Sequence, residues 1–144
     1  MIFDDILQSI GNTPLVRINN LNPNKNVDIF AKLEGKNPTG SIKDRIALKM
    51  IEQAEATESL KNGRTIIEPT SGNTGISLAM IGAIKGYDVE IVMSKAVSIE
   101  RRKMIKSFGA KVILTEEKYG TDGAIFKARD LVAKNPDKYF MPDQ

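Results

Sequence analysis

One segment constrains most of what this chain can become. Between Asn73 and Lys85, Ile76, Leu78, Ala79, Met80, Ile81, Ala83 and Ile84 cover nearly the whole circumference of a helix. A helix that is apolar all round must be buried all round, at the centre of a layered structure. A short strand pattern, Thr65-Ile66-Ile67-Glu68, precedes it, and another, Val89 to Met93, follows. The alternation then continues. A charged helix runs from Ser98 to Phe108 and ends at Gly109, and Val112-Ile113-Leu114 reads as a strand. Ala124, Ile125, Ala128, Leu131 and Val132 mark an amphipathic helix, and Tyr139-Phe140-Met141 a last strand. Upstream, Ile42, Ile46, Ala47, Met50, Ile51 and Ala54 share one helical face. Strands that alternate with helices across short turns pair in parallel, through right-handed crossovers, with helices on both sides. The expected fold class is therefore α/β: a three-layer open parallel twisted sheet with helices on both faces. Ligands of such sheets sit outside the carboxyl ends of the strands, which places Pro69 to Gly75 where chemistry is expected.

Before residue 41 the pattern is shorter and broken. Phe3 to Ile10 reads as a brief helix ended by Gly11-Asn12. Leu15 to Ile18 and Val27 to Leu33 read as strands, separated by turn formers from Asn19 to Asn24. The whole chain has 144 residues, enough for one domain with one core.

Two zeros in the composition narrow the chemistry. Without cysteine there is no disulfide framework, catalytic thiolate or thiolate-bound metal in these residues. Without histidine there is no Ser–His pair and no imidazole acid or base. Acid–base work within this sequence falls to Lys, Asp, Glu, Tyr or a cofactor. The formal net charge is only +3, which does not call for nucleic acid or an anionic membrane as partner. The N-terminus carries Asp4-Asp5 where a signal peptide would be basic. The longest apolar stretch, Ile76 to Ile84, falls far short of the roughly 20 residues of a membrane span. The expectation is a soluble, cytoplasmic chain. Its end directly after a strand, at Pro142-Asp143-Gln144, leads us to expect a fragment.

Two polar turns each open a helix. In Gly35-Lys36-Asn37-Pro38-Thr39-Gly40-Ser41-Ile42-Lys43-Asp44-Arg45, Ser41 is placed to cap, with Asp44 three residues on in the manner of a capping box. Lys43 then falls in the first helical turn, where the helix dipole disfavours a second positive charge. It is either a solvated surface lysine or, where desolvated, an amine of lowered pKa suited to Schiff-base chemistry. In Glu68-Pro69-Thr70-Ser71-Gly72-Asn73-Thr74-Gly75, four hydroxyl or amide side chains and two glycines converge on a helix N-terminus. That turn suits an anion, or it is ordinary capping by Thr70, Ser71 or Asn73. It is neither a Walker loop nor a GxGxxG turn. Glu100-Arg101-Arg102-Lys103 reads as a solvated face, and Gly120-Thr121-Asp122-Gly123 as a cap for the helix after it.

Taken together, the two turns closely resemble the cysteine synthase (O-acetylserine sulfhydrylase) and cystathionine β-synthase family, the fold-type II pyridoxal-phosphate enzymes. Ile10-Gly11-Asn12-Thr13-Pro14-Leu15-Val16, Ser98-Ile99-Glu100-Arg101-Arg102 and Phe108-Gly109-Ala110 add to the likeness. It extends over essentially the whole chain but covers only the N-terminal half of a family member. The resemblance implies that Lys43 holds pyridoxal phosphate covalently and acts as acid and base at Cα. It implies that Asn73 binds the cofactor's ring hydroxyl oxygen. Thr70, Ser71, Asn73, Thr74 and Gln144 are implied to bind the substrate α-carboxylate.

The implied reaction is β-replacement, in which O-acetylserine and sulfide give cysteine and acetate. Sibling activities are cystathionine β-synthase, O-phosphoserine sulfhydrylase and a sulfide-releasing cysteine lyase. A reading from another class is a non-catalytic structural or partner-binding domain. Residues 1–12 and 35–144 are implied to form the small domain of the family, and 13–34 a strand pair belonging to the larger one. That larger C-terminal domain, with the phosphate-binding loop and a Ser or Thr facing the pyridine nitrogen, has no counterpart in this sequence. Alone, the 144 residues are therefore expected to bind the cofactor poorly and to turn over little. The full-length protein is expected to be a homodimer. Met93-Ser94-Lys95-Ala96-Val97-Ser98 departs from the family's usual Met-Pro start near the substrate entrance, which leaves donor and nucleophile open.

Overall fold

The computed structural model describes residues 2–24 and 26–144. Six strands and four α-helices follow in the order β1 (Leu15–Arg17), β2 (Phe30–Lys32), α1 (Lys43–Ala56), β3 (Thr65–Pro69), α2 (Asn73–Lys85), β4 (Val89–Ser94), α3 (Ile99–Ser107), β5 (Lys111–Thr115), α4 (Gly120–Lys134) and β6 (Tyr139–Phe140). The expected rhythm is present, with shorter N-terminal elements. The Phe3–Ile10 segment is a 3-10 helix over Ile6–Ser9, started by Asp5, whose carboxylate accepts from the Leu7 amide at 2.7 Å.

Strands β3 to β6 form one parallel sheet in the order β5-β4-β3-β6. Strands β1 and β2 make a separate antiparallel pair, with Val16 opposite Ala31. All six residues of β4 are buried, as expected of a strand covered on both faces. Two cores account for that cover. On one face Ala47, Ile51 and Ala54 of α1, Leu78 and Ile81 of α2 and Ile105 of α3 pack with Ile66, Ile91 and Met93. On the other, Ala124 and Ala128 of α4 pack with Ile67, Val92 and Tyr139. The three layers are therefore α1–α2–α3, sheet, α4.

The order of the strands decides where a ligand can sit. From β3 the chain steps outward to β4 and β5, then returns through α4 to place β6 on the opposite side of β3. The carboxyl ends of β3 and β6 therefore lie side by side, at the end of an open α/β sheet where ligands are generally taken. Thr70–Gly72 follows β3 there, and Pro142–Gln144 follows β6.

Candidate active site

Helix α2 starts beyond the carboxyl end of β3, and a few contacts set the loop between the strand and the helix. The Thr70 amide bonds the Val92 carbonyl at 3.0 Å, holding the loop to β4. The Thr70 hydroxyl accepts from the Gly72 amide at 3.2 Å. Gly72, not Thr70, Ser71 or Asn73, is the capping residue, and no side chain caps α2. The amides that open α2 are thus left to other partners, and the positive end of its dipole lies at the carboxyl end of the sheet. A β-carbon at Gly75 would lie 2.9 Å from Thr70 Cγ2 and 3.1 Å from Ile91 Cγ2. Glycine is what lets the helix start this close to the sheet.

Helix α1 is docked alongside by a buried carboxylate. Asp44 is fully buried. It accepts from the Thr39 amide at 2.8 Å, from the Thr39 hydroxyl, and from the Ser77 hydroxyl at 2.5 Å. Ser77 also lies 3.0 Å from the Asn73 carbonyl. This chain of contacts ties the Thr39–Ser41 turn to the first turn of α2, so Lys43 and Asn73 open neighbouring helices. The expected capping box is only half present. The Ser41 hydroxyl does accept from the Lys43 amide at 3.1 Å, but Asp44 reaches back past Ser41 to Thr39, because Ser77 offers it a third donor.

Lys43 is half-buried, and among the described residues its ammonium has no hydrogen-bond or ion-pair partner. The Asn73 side chain is exposed. Gln144, 70 residues along the chain from Thr74, is brought to the start of α2, where its side-chain oxygen accepts from the Thr74 hydroxyl at 2.7 Å. The structure therefore gathers Thr70, Ser71, Asn73, Thr74 and Gln144 around one helix start, with Lys43 on the helix beside it.

Several contributors escape the sequence reading. Glu68 is 2% exposed and accepts from the Asp143 and Gln144 amides, each at 3.0 Å. Burial pushes its carboxyl up to about 7, against the lowering effect of those two bonds. Glu34 is gripped by Arg45 at 2.7 Å and by the Thr13 hydroxyl at 2.6 Å, which join the strand pair to α1. Hydrogen bonding from Arg45, then from Thr13, holds its carboxyl down at about 2. The Glu100–Lys103 face is not only solvated. Arg101 donates to the Ser71 carbonyl at 2.9 Å, and Arg102 to the Lys95 carbonyl. Gly120–Gly123 does not precede a helix either, since α4 begins at Gly120 and no side chain caps it.

A lysine without a partner among the described residues thus stands on one helix, and an amide and several hydroxyls stand around the start of its neighbour, at the carboxyl end of an open parallel sheet. A profile of the family described as "Pyridoxal-phosphate dependent enzyme" matches residues 6–144, and the chain belongs to that family. It is 53% identical over 139 residues to a cysteine synthase of a Flavobacterium strain, a match covering 96% of this chain and 45% of that protein. The crystal structure of a cysteine synthase (OASS) from Entamoeba histolytica superposes with a TM-score of 0.95 at 44% identity, over 99% of this chain and 43% of that one. A hydrogen sulfide-producing enzyme from Fusobacterium nucleatum superposes with a TM-score of 0.91 at 48% identity, over 100% of this chain and 46% of that one. The chain thus spans less than half the length of these relatives. Among the described residues no helix is long and apolar enough to cross a membrane.

The residues present fit the amine-reactive and ring ends of pyridoxal phosphate. Lys43 has a free amine, and Asn73 has an amide with no partner among the described residues.

Proposed function

We propose that this sequence contributes the lysine-bearing half of a cysteine synthase-type enzyme, which replaces the acetoxy group of O-acetylserine with sulfide to give cysteine and acetate. The observation that carries the reading is that Lys43 and Asn73 open two helices tied together through Asp44 and Ser77, with Thr74 bonded to Gln144, inside a family match over residues 6–144. When bound, pyridoxal phosphate supplies the electron sink for negative charge at the substrate Cα. Lys43 would hold that group through its Nζ, and the same amine would be the base that takes up the substrate Cα proton. Asn73 would hold the cofactor's ring hydroxyl oxygen by donating from the side-chain amide. Thr70, Ser71, Asn73, Thr74 and Gln144 bind the substrate α-carboxylate, aided by the N-terminal dipole of α2.

Residues 1–12 and 35–144 form the small domain in this reading, and 13–34 packs on a larger one that binds the cofactor phosphate. Supporting this, the β1–β2 pair leaves Leu15 62% and Phe30 51% exposed, and neither belongs to a core cluster. The working protein is cytoplasmic, homodimeric and specific for small amino acids. The likeness to a sulfide-producing enzyme favours, as second reading, cysteine as donor and sulfide as product.

The test joins this chain to the C-terminal part of the Flavobacterium relative, beside the same protein with Lys43→Ala. A visible absorption band with pyridoxal phosphate that needs Lys43, together with cysteine formed from O-acetylserine and sulfide, is the expected result. A band equal in both proteins, or no cysteine formed, overturns the reading. Product analysis with O-phosphoserine, serine and cysteine separates the sibling reactions.

A further inference from the structure

Glu68 is a buried acid in β3, preceded by Ile66 and Ile67, which are fully buried. Among the described residues no cation pairs with it. Its hydrogen bonds run instead to two main-chain amides more than 70 residues away, Asp143 and Gln144. The reason lies in the register of β6. That strand pairs with β3 only at Thr65 opposite Tyr139 and Ile66 opposite Phe140. Continued two residues further, the same register sets Pro142 opposite Glu68. Proline has no amide to donate, so the ladder stops there. The backbone then turns out of the strand at Asp143, which has a φ of +55°. Beyond that point the Glu68 side chain does the work of the missing ladder, with one oxygen for each of the next two amides. The held segment ends in Gln144, whose side chain reaches Thr74 at the start of α2. Arg129 of α4 meets the Asp143 carboxylate from the other side at 3.5 Å.

We propose that Glu68 is a positioning residue: its carboxylate fixes the Asp143–Gln144 backbone so that the Gln144 amide is aimed at the substrate carboxylate beside Thr74. The inference rests on the functional reading above for what Gln144 binds, but not for what holds it. Ionised Glu68 accepts both amides. A glutamine in its place accepts one and presents an N–H to the other, so one contact turns repulsive.

The test uses Glu68→Gln and Glu68→Ala at pH 8, above the value of about 7 to which burial raises this carboxyl. In the cofactor-free chain, Glu68→Gln is expected to speed hydrogen exchange of the Asp143 and Gln144 amides about tenfold, with Glu68→Ala faster still and β4–β5 amides unchanged. In the joined protein carrying pyridoxal phosphate, half-saturation of the spectral change by L-serine should rise about tenfold in Glu68→Gln. Ethanolamine, which lacks only the α-carboxylate, should move less than about twofold. Unchanged exchange at Asp143 and Gln144 overturns the proposal, and so does an equal loss for both probes. Should the joined protein show no Lys43-dependent band, the functional reading fails, and the exchange experiment still decides whether Glu68 holds the tail.

Discussion

Removal of the Asp44 carboxylate tests the idea that one buried acid docks the two site helices. In Asp44→Ala, three donors lose their acceptor: the Thr39 amide, the Thr39 hydroxyl and the Ser77 hydroxyl. They do not suffer equally. Ser77 retains the Asn73 carbonyl at 3.0 Å, and the Thr39 hydroxyl can rotate toward Ser77, 3.5 Å away. The Thr39 amide cannot rotate, and stranding such a group costs about 1–3 kcal/mol. Loss of a favourable charge in the first turn of α1 adds about 0.3–1 kcal/mol. Together these come to about 1.3–4 kcal/mol, and the middle of that range, about 2–3 kcal/mol, is the expected loss. In Asp44→Asn the side-chain oxygen still serves the Thr39 amide while its NH₂ meets hydroxyl oxygens, so about 1 kcal/mol is lost. With a urea slope of about 2 kcal/mol per molar, Asp44→Ala should move the unfolding midpoint down by about 1–1.5 M and Asp44→Asn by about 0.5 M. Urea titration followed by far-ultraviolet circular dichroism reads both. A shift for Asp44→Ala below about 0.3 M, or an asparagine as damaging as alanine, would show that the Thr39 amide does not depend on this carboxylate.

Two further perturbations address other parts of the fold. Glu34 is held at about 2 by Arg45 and Thr13, well below its ordinary value of 4.5. Its contribution to stability is complete above 4.5 and disappears as pH falls toward 2, so Arg45→Met should raise the midpoint of acid unfolding; an unchanged midpoint would refute the clamp. A β-carbon at Gly82 would overlap Val89 Cγ2, whereas one at Gly72 meets nothing within 4 Å. Calorimetry should find Gly82→Ala destabilised by about 1–3 kcal/mol and Gly72→Ala within about 0.5 kcal/mol of the parent, and equal values would contradict this packing of α2 on β4.

Local pattern reached far along this chain because α/β layering is written in short-range periodicity. The limits of α2 match the apolar run from Asn73 to Lys85 at both ends, since a strand turn precedes it and Gly86, at φ +78°, ends it. Asp44 was legible as well, in principle. It stands three and seven residues before Ala47 and Ile51 on the buried face of α1, a spacing that marks an acid turned inward. Reading it only as a capping partner missed that. For Glu68 the signal was fainter, a single acid within Thr65-Ile66-Ile67-Glu68, because polar residues at strand ends are common.

By itself, then, the sequence determined the alternation of elements, the layer architecture, the absence of thiol and imidazole chemistry, and which turns carry the amine and the hydroxyls. Those follow from side-chain period, residue type and helix-start chemistry, all local quantities. Tertiary structure alone decided that β6 returns beside β3, and with it that Gln144 meets Thr74 across 70 residues. It also decided that Asp44 would bridge to Ser77, Arg101 to Ser71, and Glu68 to the amides after Pro142. Each of these bonds joins groups more than 25 residues apart, and such partners are chosen by strand order and register. Strand order and register are set by the burial of two whole cores rather than by any one segment.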